Sequence, residues 1–276
     1  MSPYRTSSRL TGFAPEGLLG YMQSKRGILY AASGEMYARE ATASAYTARD
    51  HMPDLPRILF TDKAEYGDPV FDEVRVIEEP TYSYRDKILP LTQSPFEETI
   101  FLDTDTYVAS PFPEVFDLLD RFELGIAHDP CRACEPTEAP QSFVEMNTGV
   151  ILYRNTERVR SFFHDWLANH EALREKNSKV NDQVAFRKTL FASDLRFYIL
   201  PQEYNFRLFQ PYFAGDTLPV KILHGRGIDL PELEARLNKT DSYRVYLTSI
   251  EQFLPETTIF TTRYGTWMQK ALAPFI

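Results

Sequence analysis

The chain has 276 residues, a formal net charge of -9 and a pI near 5.2. That length accommodates one large α/β domain with an extension, or two small domains, with a sizeable core. The acidic balance leaves no dominant basic face and so argues against a nucleic-acid partner, and no stretch approaches the roughly 20 apolar residues that span a bilayer. The expectation is a soluble cytoplasmic protein without a transmembrane segment, with peripheral contact at a membrane as the alternative.

Residues 1–25 mix Ser, Thr, Gly and Pro without a period and read as an arm lying on the domain. Residues 26–32 read as the first strand, Ser33-Gly34 as a turn, and 35–49 as a helix in which Ala, Tyr and Met recur. Strands follow at 57–61, ending at Asp62, and at 70–77, ending before the Pro80 turn. Strand, helix and strand in that order predict a parallel sheet. In the segment 82–91, Tyr84, Ile88 and Leu91 share one helical face, with Pro90 limiting the helix or sitting in its first turn. Arg85 and Lys87 have two readings: cations at a helix start facing a ligand phosphate, or a solvated charged face.

The stretch 97–110, Glu-Glu-Thr-Ile-Phe-Leu-Asp-Thr-Asp-Thr-Tyr-Val-Ala-Ser, organises the rest. Ile100, Phe101 and Leu102 have the continuous apolar character of a strand buried on both faces. Asp103 and Asp105 emerge at its C-terminal end, where open α/β sheets bind ligands, and side chains at i and i+2 of an extended chain point the same way. Two carboxylates in one place need a cation or a proton between them, and a hard divalent ion with oxygen ligands fits.

Beyond that pair, 111–119 reads as a short helix and 124–128 as a strand. The loop 129–142, rich in Pro, Glu and Cys, suits a surface insertion facing an acceptor. Cys131 and Cys134 lack the further ligands of a structural zinc site and read as free thiols. Sheet character resumes at 143–155, where Asn147 and Gly149 are unusual residues for a central strand; close approach of the backbone to a ligand accounts for both. Residues 156–175 form an amphipathic helix whose His164 and His170 read as structural. Asn181 or Asp182 can simply cap the next helix. A strand at 196–200, an aromatic loop from Tyr204, and a strand ending at His224 complete the set. A mixed charged and Thr-rich tail follows.

In order and spacing these motifs resemble the GT-A nucleotide-sugar glycosyltransferases, in particular the retaining family that includes glycogenin and the bacterial lipooligosaccharide galactosyltransferases. Phe101-Leu-Asp-Thr-Asp-Thr-Tyr-Val resembles that family's strand-terminal Asp-x-Asp, Met146-Asn-Thr-Gly-Val-Ile-Leu its Asn-x-Gly strand, Asn181-Asp-Gln its Asp-Gln pair, and Ile222-Leu-His-Gly its late metal histidine. The resemblance implies a GT-A fold, with a mixed, mostly parallel central sheet flanked by helices. It places the catalytic domain at 26–226 and a packed C-terminal extension at 227–276. It implies that Asp103, Asp105 and His224 hold Mn2+ or Mg2+, an imidazole ligand leaning toward Mn2+. Ala31, Ala32, Ser33 and Asp62 would bind base and ribose. Arg85, Lys87, Thr104, Gly225 and Arg226 would approach the donor's diphosphate or sugar, and Asn147, Asp182 and Gln183 would line the sugar. The donor would be a nucleoside-diphosphate sugar, with uridine favoured, the acceptor a saccharide, lipid or protein, and the outcome retention. Where the family continues with a Lys-Pro-Trp-like phosphate clamp, this chain has Arg226-Gly-Ile-Asp-Leu-Pro, which makes Arg226 the candidate phosphate contact. The rival readings are a haloacid-dehalogenase-like phosphohydrolase with Asp103 as nucleophile and a nucleotide-sugar-binding protein without turnover.

Overall fold

The computed structural model describes residues 24–129, 139–208, 212–214, 218–227, 229–238, 243–247 and 258–262. Strand β1 (Arg26–Ala32) runs into helix α1 (Glu35–His51), then β2 (Arg57–Thr61), β3 (Glu73–Val76), α2 (Arg85–Leu91), β4 (Glu98–Leu102) and β5 (Thr106–Val108). A 3₁₀ segment (Pro113–Asp120) leads to β6 (Leu124–Asp129), β7 (Glu145–Arg154), α3 (Glu157–Lys176), α4 (Asp182–Ala192) and β8 (Phe197–Leu200). Then come β9 (Phe206–Arg207), β10 (Tyr212–Ala214), β11 (Ile222–His224), α5 (Leu230–Asn238), β12 (Tyr243–Leu247) and β13 (Thr258–Thr262).

The central sheet has seven strands in the order β3-β2-β1-β4-β7-β6-β8. Four neighbouring pairs are parallel, and β7 alone is reversed against both its neighbours, β4 and β6. The sheet is therefore mixed and mostly parallel, as the sequence predicts. Alternation along the strands sorts residues into two layers. Ile28, Tyr30, Ile100 and Leu102 pack on one face under the Ala38, Ala41, Ala45 and Ala48 stripe of α1. Leu29 and Phe101 face the other layer, where Phe162, Phe163 and Trp166 of α3 meet Ala185 and Phe186 of α4. Alanine at helical spacing lets α1 lie close to the sheet, while the aromatic layer fills the wider gap with edge-on rings, Trp166 and Phe186 at 86° and 4.9 Å.

Two smaller sheets accompany it, β5-β11-β9 and β10-β12-β13. Helix α5 covers the first: Leu233 and Leu237 pack with Phe206, Leu223 and Val220, and Asn238 exchanges two hydrogen bonds with the Val220 backbone, at 2.8 and 2.9 Å.

Several local expectations need correction. The strand expected over 70–77 is only β3, an edge strand paired to β2 alone; Val70 and Phe71 instead turn into the core before it. Pro90 lies inside α2 one residue before its end, so of the two readings it limits the helix and does not sit in its first turn. The short helix near 111–119 is 3₁₀ and begins at Pro113. Residues 1–23, Cys131 and Cys134, most of the 129–142 loop and the final aromatic residues lie outside the described residues. No helix among the described residues is long and apolar enough to cross a membrane.

Candidate functional site

A cavity of about 830 Å³ opens at the C-terminal ends of β1 and β4, within the range of small-molecule sites and at the edge of the sheet where such sites occur. Its floor is the acidic pair. Asp103 and Asp105 converge through a turn, not through extended alternation as expected: the Thr106 N–H and hydroxyl both donate to the Asp103 carbonyl, at 3.3 and 2.7 Å. The chain then doubles back as β5, which pairs antiparallel with β11 so that Thr106 lies opposite His224, and the Gly225 N–H donates to the Asp105 carbonyl at 2.9 Å. This second sheet brings a histidine from late in the chain to the end of β4.

The imidazole of His224, 1 % exposed, has its Nε2 atom 3.3 Å from Asp105 Oδ1 and 3.8 Å from Asp103 Oδ2. Gly149 of β7 makes room for it: a Cβ there would lie 1.9 Å from the ring's Cε1. Gly149 thus admits a side chain, where the sequence reading expected a ligand. Asn147 is likewise accounted for by protein contacts. Its Nδ2 donates to the Asp129 carboxylate at 3.3 Å and to Gln183 Oε1 at 2.9 Å, so its Oδ1 is the acceptor for the Gly149 N–H at 3.0 Å and for Asn205 Nδ2 at 2.8 Å. Asn205 therefore turns its own Oδ1 to His224 Nδ1, 2.7 Å away. The relay leaves the Nδ1 proton on His224 and its Nε2 with a lone pair, because every amide in it is oriented by a group of fixed polarity. Burial, then the charge of Arg207, lowers the His224 pKa and keeps the ring neutral.

Cations meet each of these groups. Lys87, on α2, lies 2.9 Å from Asp103 Oδ1 and 3.4 Å from Asp182 Oδ2, and it also donates to Thr148 Oγ1. Burial works against its charge, but Asp103 and Asp182 outweigh it and raise its pKa. Asp182 is the first residue of α4, where the helix N-terminus favours a carboxylate, and it accepts from Thr148 Oγ1 at 2.7 Å. Asn181 is the N-cap, its side chain accepting from the Gln183 N–H. Arg226 sits 3.1 Å from Asp105 and pairs bidentately with Glu40 of α1, which also accepts from Thr104 Oγ1 at 3.0 Å. Burial alone would raise the Asp105 pKa; the guanidinium charges of Arg226 and Arg207 beside it hold it well below the usual carboxylate range.

Ala31, Ala32 and Ser33 line the cavity beside Gly34, whose φ of 98° is glycine territory. Asp62 stands behind that wall: its Oδ1 accepts from the Gly34 N–H at 2.7 Å and its Oδ2 from the Tyr82 hydroxyl at 3.2 Å. Lys87, Thr104, Asn147, Asp182, Gln183 and Arg226 also line it. Arg85 does not: it turns outward to Glu171, 3.5 Å away, which is the charged-face reading of that residue. Gly225 contributes its backbone N–H to the turn at Asp105 and does not line the cavity. Gln183 has its amide clasped, Nε2 donating to Asp129 and Glu145 at 3.1 and 3.3 Å.

Sequence reading missed Glu40, Asp129, Glu145, Thr148 and Arg207 as site residues, and gave Asn205 only a place in an aromatic loop. The signal for Asn205 was a lone amide between two aromatics, since a buried amide needs partners. Glu40 and Arg207 carry no local signal. The donor set fits a divalent ion: one ligand atom each from Asp103, Asp105 and His224 lies within 4.8 Å of the others, two of them carboxylate oxygens and one an oriented imidazole lone pair.

No protein-family model and no curated protein sequence matches the chain. Solved structures do. The glycosyltransferase GlyE of Streptococcus pneumoniae TIGR4 superposes with a TM-score of 0.55 at 16 % identity, over 78 % of this chain and 61 % of its own, so the chain spans less than two thirds of that protein. The galactosyltransferase LgtC, in complex with donor and acceptor sugar analogs, gives 0.53 at 14 % identity over 73 % of this chain and 87 % of its own. The bifunctional WbbM gives 0.50 at 14 % identity, over 75 % and 46 %. The likeness establishes a GT-A fold and lends no support to the phosphohydrolase reading of Asp103.

Proposed function

We propose that this protein is a glycosyltransferase that moves a sugar from a nucleoside-diphosphate donor to an acceptor, using a divalent ion held by Asp103, Asp105 and His224. The observation that carries the reading is the fixed lone pair of His224 Nε2 facing two strand-terminal carboxylates on the floor of the cavity. Two carboxylates and an imidazole lean toward Mn2+ over Mg2+, which prefers an all-oxygen shell. The bound ion would act as a Lewis acid on the departing diphosphate.

The chain's own residues divide the remaining work. Ala31 to Gly34, braced by Asp62, form the wall for base and ribose, and uridine is the base the family resemblance favours. Arg226, half exposed and poised over Asp105, is the phosphate contact, its planar fork suited to two oxygens at once. Lys87 neutralises Asp103 and Asp182 together and holds the latter at the mouth of α4, where its carboxylate can orient sugar hydroxyls. Gln183 and Asn147, with both amides already oriented, present fixed polarity to the reacting face of the sugar. Among the described residues that line the cavity every carboxylate is engaged: Asp103, Asp105 and Asp182 with cations, Glu35 with Arg39, and Asp86 with the Thr81 and Tyr82 backbone N–H groups. That engagement favours a front-face transfer with retention.

Nucleotide release from a panel of nucleoside-diphosphate sugars with Mn2+ tests this, together with the melting temperature. Donor should raise the melting temperature only with Mn2+ present, and Asp105→Ala should remove both shift and turnover. A shift without nucleotide release across the panel would instead identify a binding protein. A shift that survives in Asp105→Ala would sink the metal bridge.

A further inference from the structure

Tyr84 is the N-cap residue of α2, and the sequence groups it with Ile88 and Leu91 on one helical face. Those two are buried, but Tyr84 keeps 40 % exposure and lines the cavity. Three consecutive residues tie this start of α2 to α3: Arg174 donates to Ser83 Oγ at 3.1 Å, the Tyr84 ring meets the buried His170 ring edge to face at 5.6 Å and 88°, and Arg85 lies 3.5 Å from Glu171. The phenol ring is therefore held in one place. Three residues on, Lys87 shares its helix face and reaches from Asp103 to Asp182, at 2.9 and 3.4 Å. The Tyr84 hydroxyl has no hydrogen bond with any described residue. The buried Tyr30, Tyr153 and Tyr204, by contrast, pair theirs with Ser44, the Leu91 carbonyl and Glu114. Burial first, then the Asp182 carboxylate, raises the Tyr84 pKa, with Asp103 adding to them and Lys87 opposing, so the phenol keeps its proton at neutral pH.

Asp182 is the complement of this free O–H. Its Oδ2 accepts from Thr148 Oγ1 at 2.7 Å and lies 3.4 Å from Lys87, while its Oδ1 receives no hydrogen bond from any described residue, and Asp182 lines the same cavity. A phenol gives one hydrogen and a carboxylate oxygen only receives, which together match the single donor and the lone pairs of an alcohol. We infer that Tyr84 is a donor-sugar contact, its O–H donating to a sugar hydroxyl whose own proton is donated to Asp182 Oδ1. This rests on the reading of the cavity as a nucleoside-diphosphate-sugar site. With the sugar bound, water is excluded, and a donor lacking that hydroxyl leaves both groups unpartnered. Tyr84 and Asp182 thereby select a hydroxylated sugar over its deoxy counterpart at one position, and the nucleotide alone does not engage Tyr84.

The test is isothermal titration calorimetry on the full chain with Mn2+ present, using UDP, UDP-glucose and UDP-galactose, for the wild type and Tyr84→Phe. Tyr84→Phe deletes one oxygen and keeps the ring against His170, so its melting temperature should match that of the wild type. It should bind UDP as the wild type does, and the better-bound of the two UDP-hexoses about tenfold more weakly, equivalent to about 1.4 kcal/mol. The 2-, 3-, 4- and 6-deoxy analogues of that UDP-hexose then locate the contact. One of them should bind the wild type about tenfold or more weakly than the parent and show no further loss in Tyr84→Phe, because the bond is already gone. An equal loss for UDP and the UDP-hexose would make Tyr84 a support for the nucleotide site and overturn the inference. An unchanged UDP-hexose affinity, or a further tenfold loss with every deoxy analogue, would overturn it too. Wild-type binding of UDP with neither UDP-hexose bound would also overturn it and leave the nucleotide site in place. Failure of the wild type to bind UDP or either UDP-hexose would instead bring down the donor reading itself, and the contact with it.

Discussion

Gly149→Ala separates the close approach of β7 to His224 from ordinary strand packing. The new methyl carbon would start 1.9 Å from His224 Cε1, 2.6 Å from Nδ1 and 2.9 Å from Nε2. Ordinary carbon contacts begin near 3.5 Å, so the ring must retreat by about 1.5 Å. It has no slack, since it is buried and anchored by Asn205 at 2.7 Å and Arg207 at 2.8 Å. Overpacking costs about 1–3 kcal/mol and the broken Asn205 bond about 1 more. A total of about 2–4 kcal/mol lowers the melting temperature of a chain this size by roughly 4–16 °C. Because the ring is also the imidazole ligand of the proposed centre, Mn2+ affinity should fall at least tenfold. The decisive assay is a double-mutant cycle with His224→Ala, read by urea denaturation. Removing the ring removes the clash, so Gly149→Ala should cost far less in the His224→Ala background, a coupling of 1 kcal/mol or more. Additive costs would refute the reasoning. Gly27→Ala is the matched control. A Cβ there meets the Phe96 ring at 2.3 Å, at the opposite end of β1, so it should destabilise the fold and leave Mn2+ affinity unchanged.

Lys87→Met leaves Asp103 and Asp182 near one another without the ammonium that now touches both, and should cost about 3 kcal/mol in urea denaturation, since it strands a buried carboxylate. A loss under 1 kcal/mol would mean that solvent already screens the pair. His170 is fully buried on α3 with neither ring nitrogen hydrogen-bonded, and burial first, then Arg174, lowers its pKa against the opposing pull of Asp182. In the pH window just below the ordinary histidine value, the unfolded chain binds a proton at this position that the native state refuses. Stability conferred by the neutral ring is therefore present above that window and lost as pH falls through it, by at most about 1.4 kcal/mol per pH unit for one proton. His170→Leu should flatten that part of the pH–stability curve, measured by urea midpoints between about pH 7 and pH 5; an unchanged slope would assign the effect to the other histidines.

Much of the sheet can be read from the sequence because its signals are local. The bounds of β1 and β2 follow from short apolar runs ended by turn residues, and α1 from alanines at helical spacing. The Asp-x-Asp is conspicuous because two charges interrupt a run that is otherwise buried on both faces. The edge strand β3 is misjudged for the same reason: Val70 and Phe71 are apolar because they pack into the core from a turn, and periodicity alone does not distinguish that from a strand. Arg85 and Lys87, two residues apart, look equivalent in sequence, but successive positions on a helix face different ways. One therefore meets Glu171 and the other Asp103.

What the sequence determined by itself is the set of elements and the place where charge breaks out of the core, because burial and secondary-structure period are written in neighbouring residues. What only the tertiary structure decided is which distant side chains share that place. The reversal of β7 beside β4 sets Gly149 against His224, and the pairing of β5 and β9 with β11 brings the acidic turn and Arg207 to the same imidazole. Strand order is a property of how whole layers pack, so the hydrogen-bond relay that fixes His224 and the guanidinium that lies against its ring have no counterpart in any local pattern.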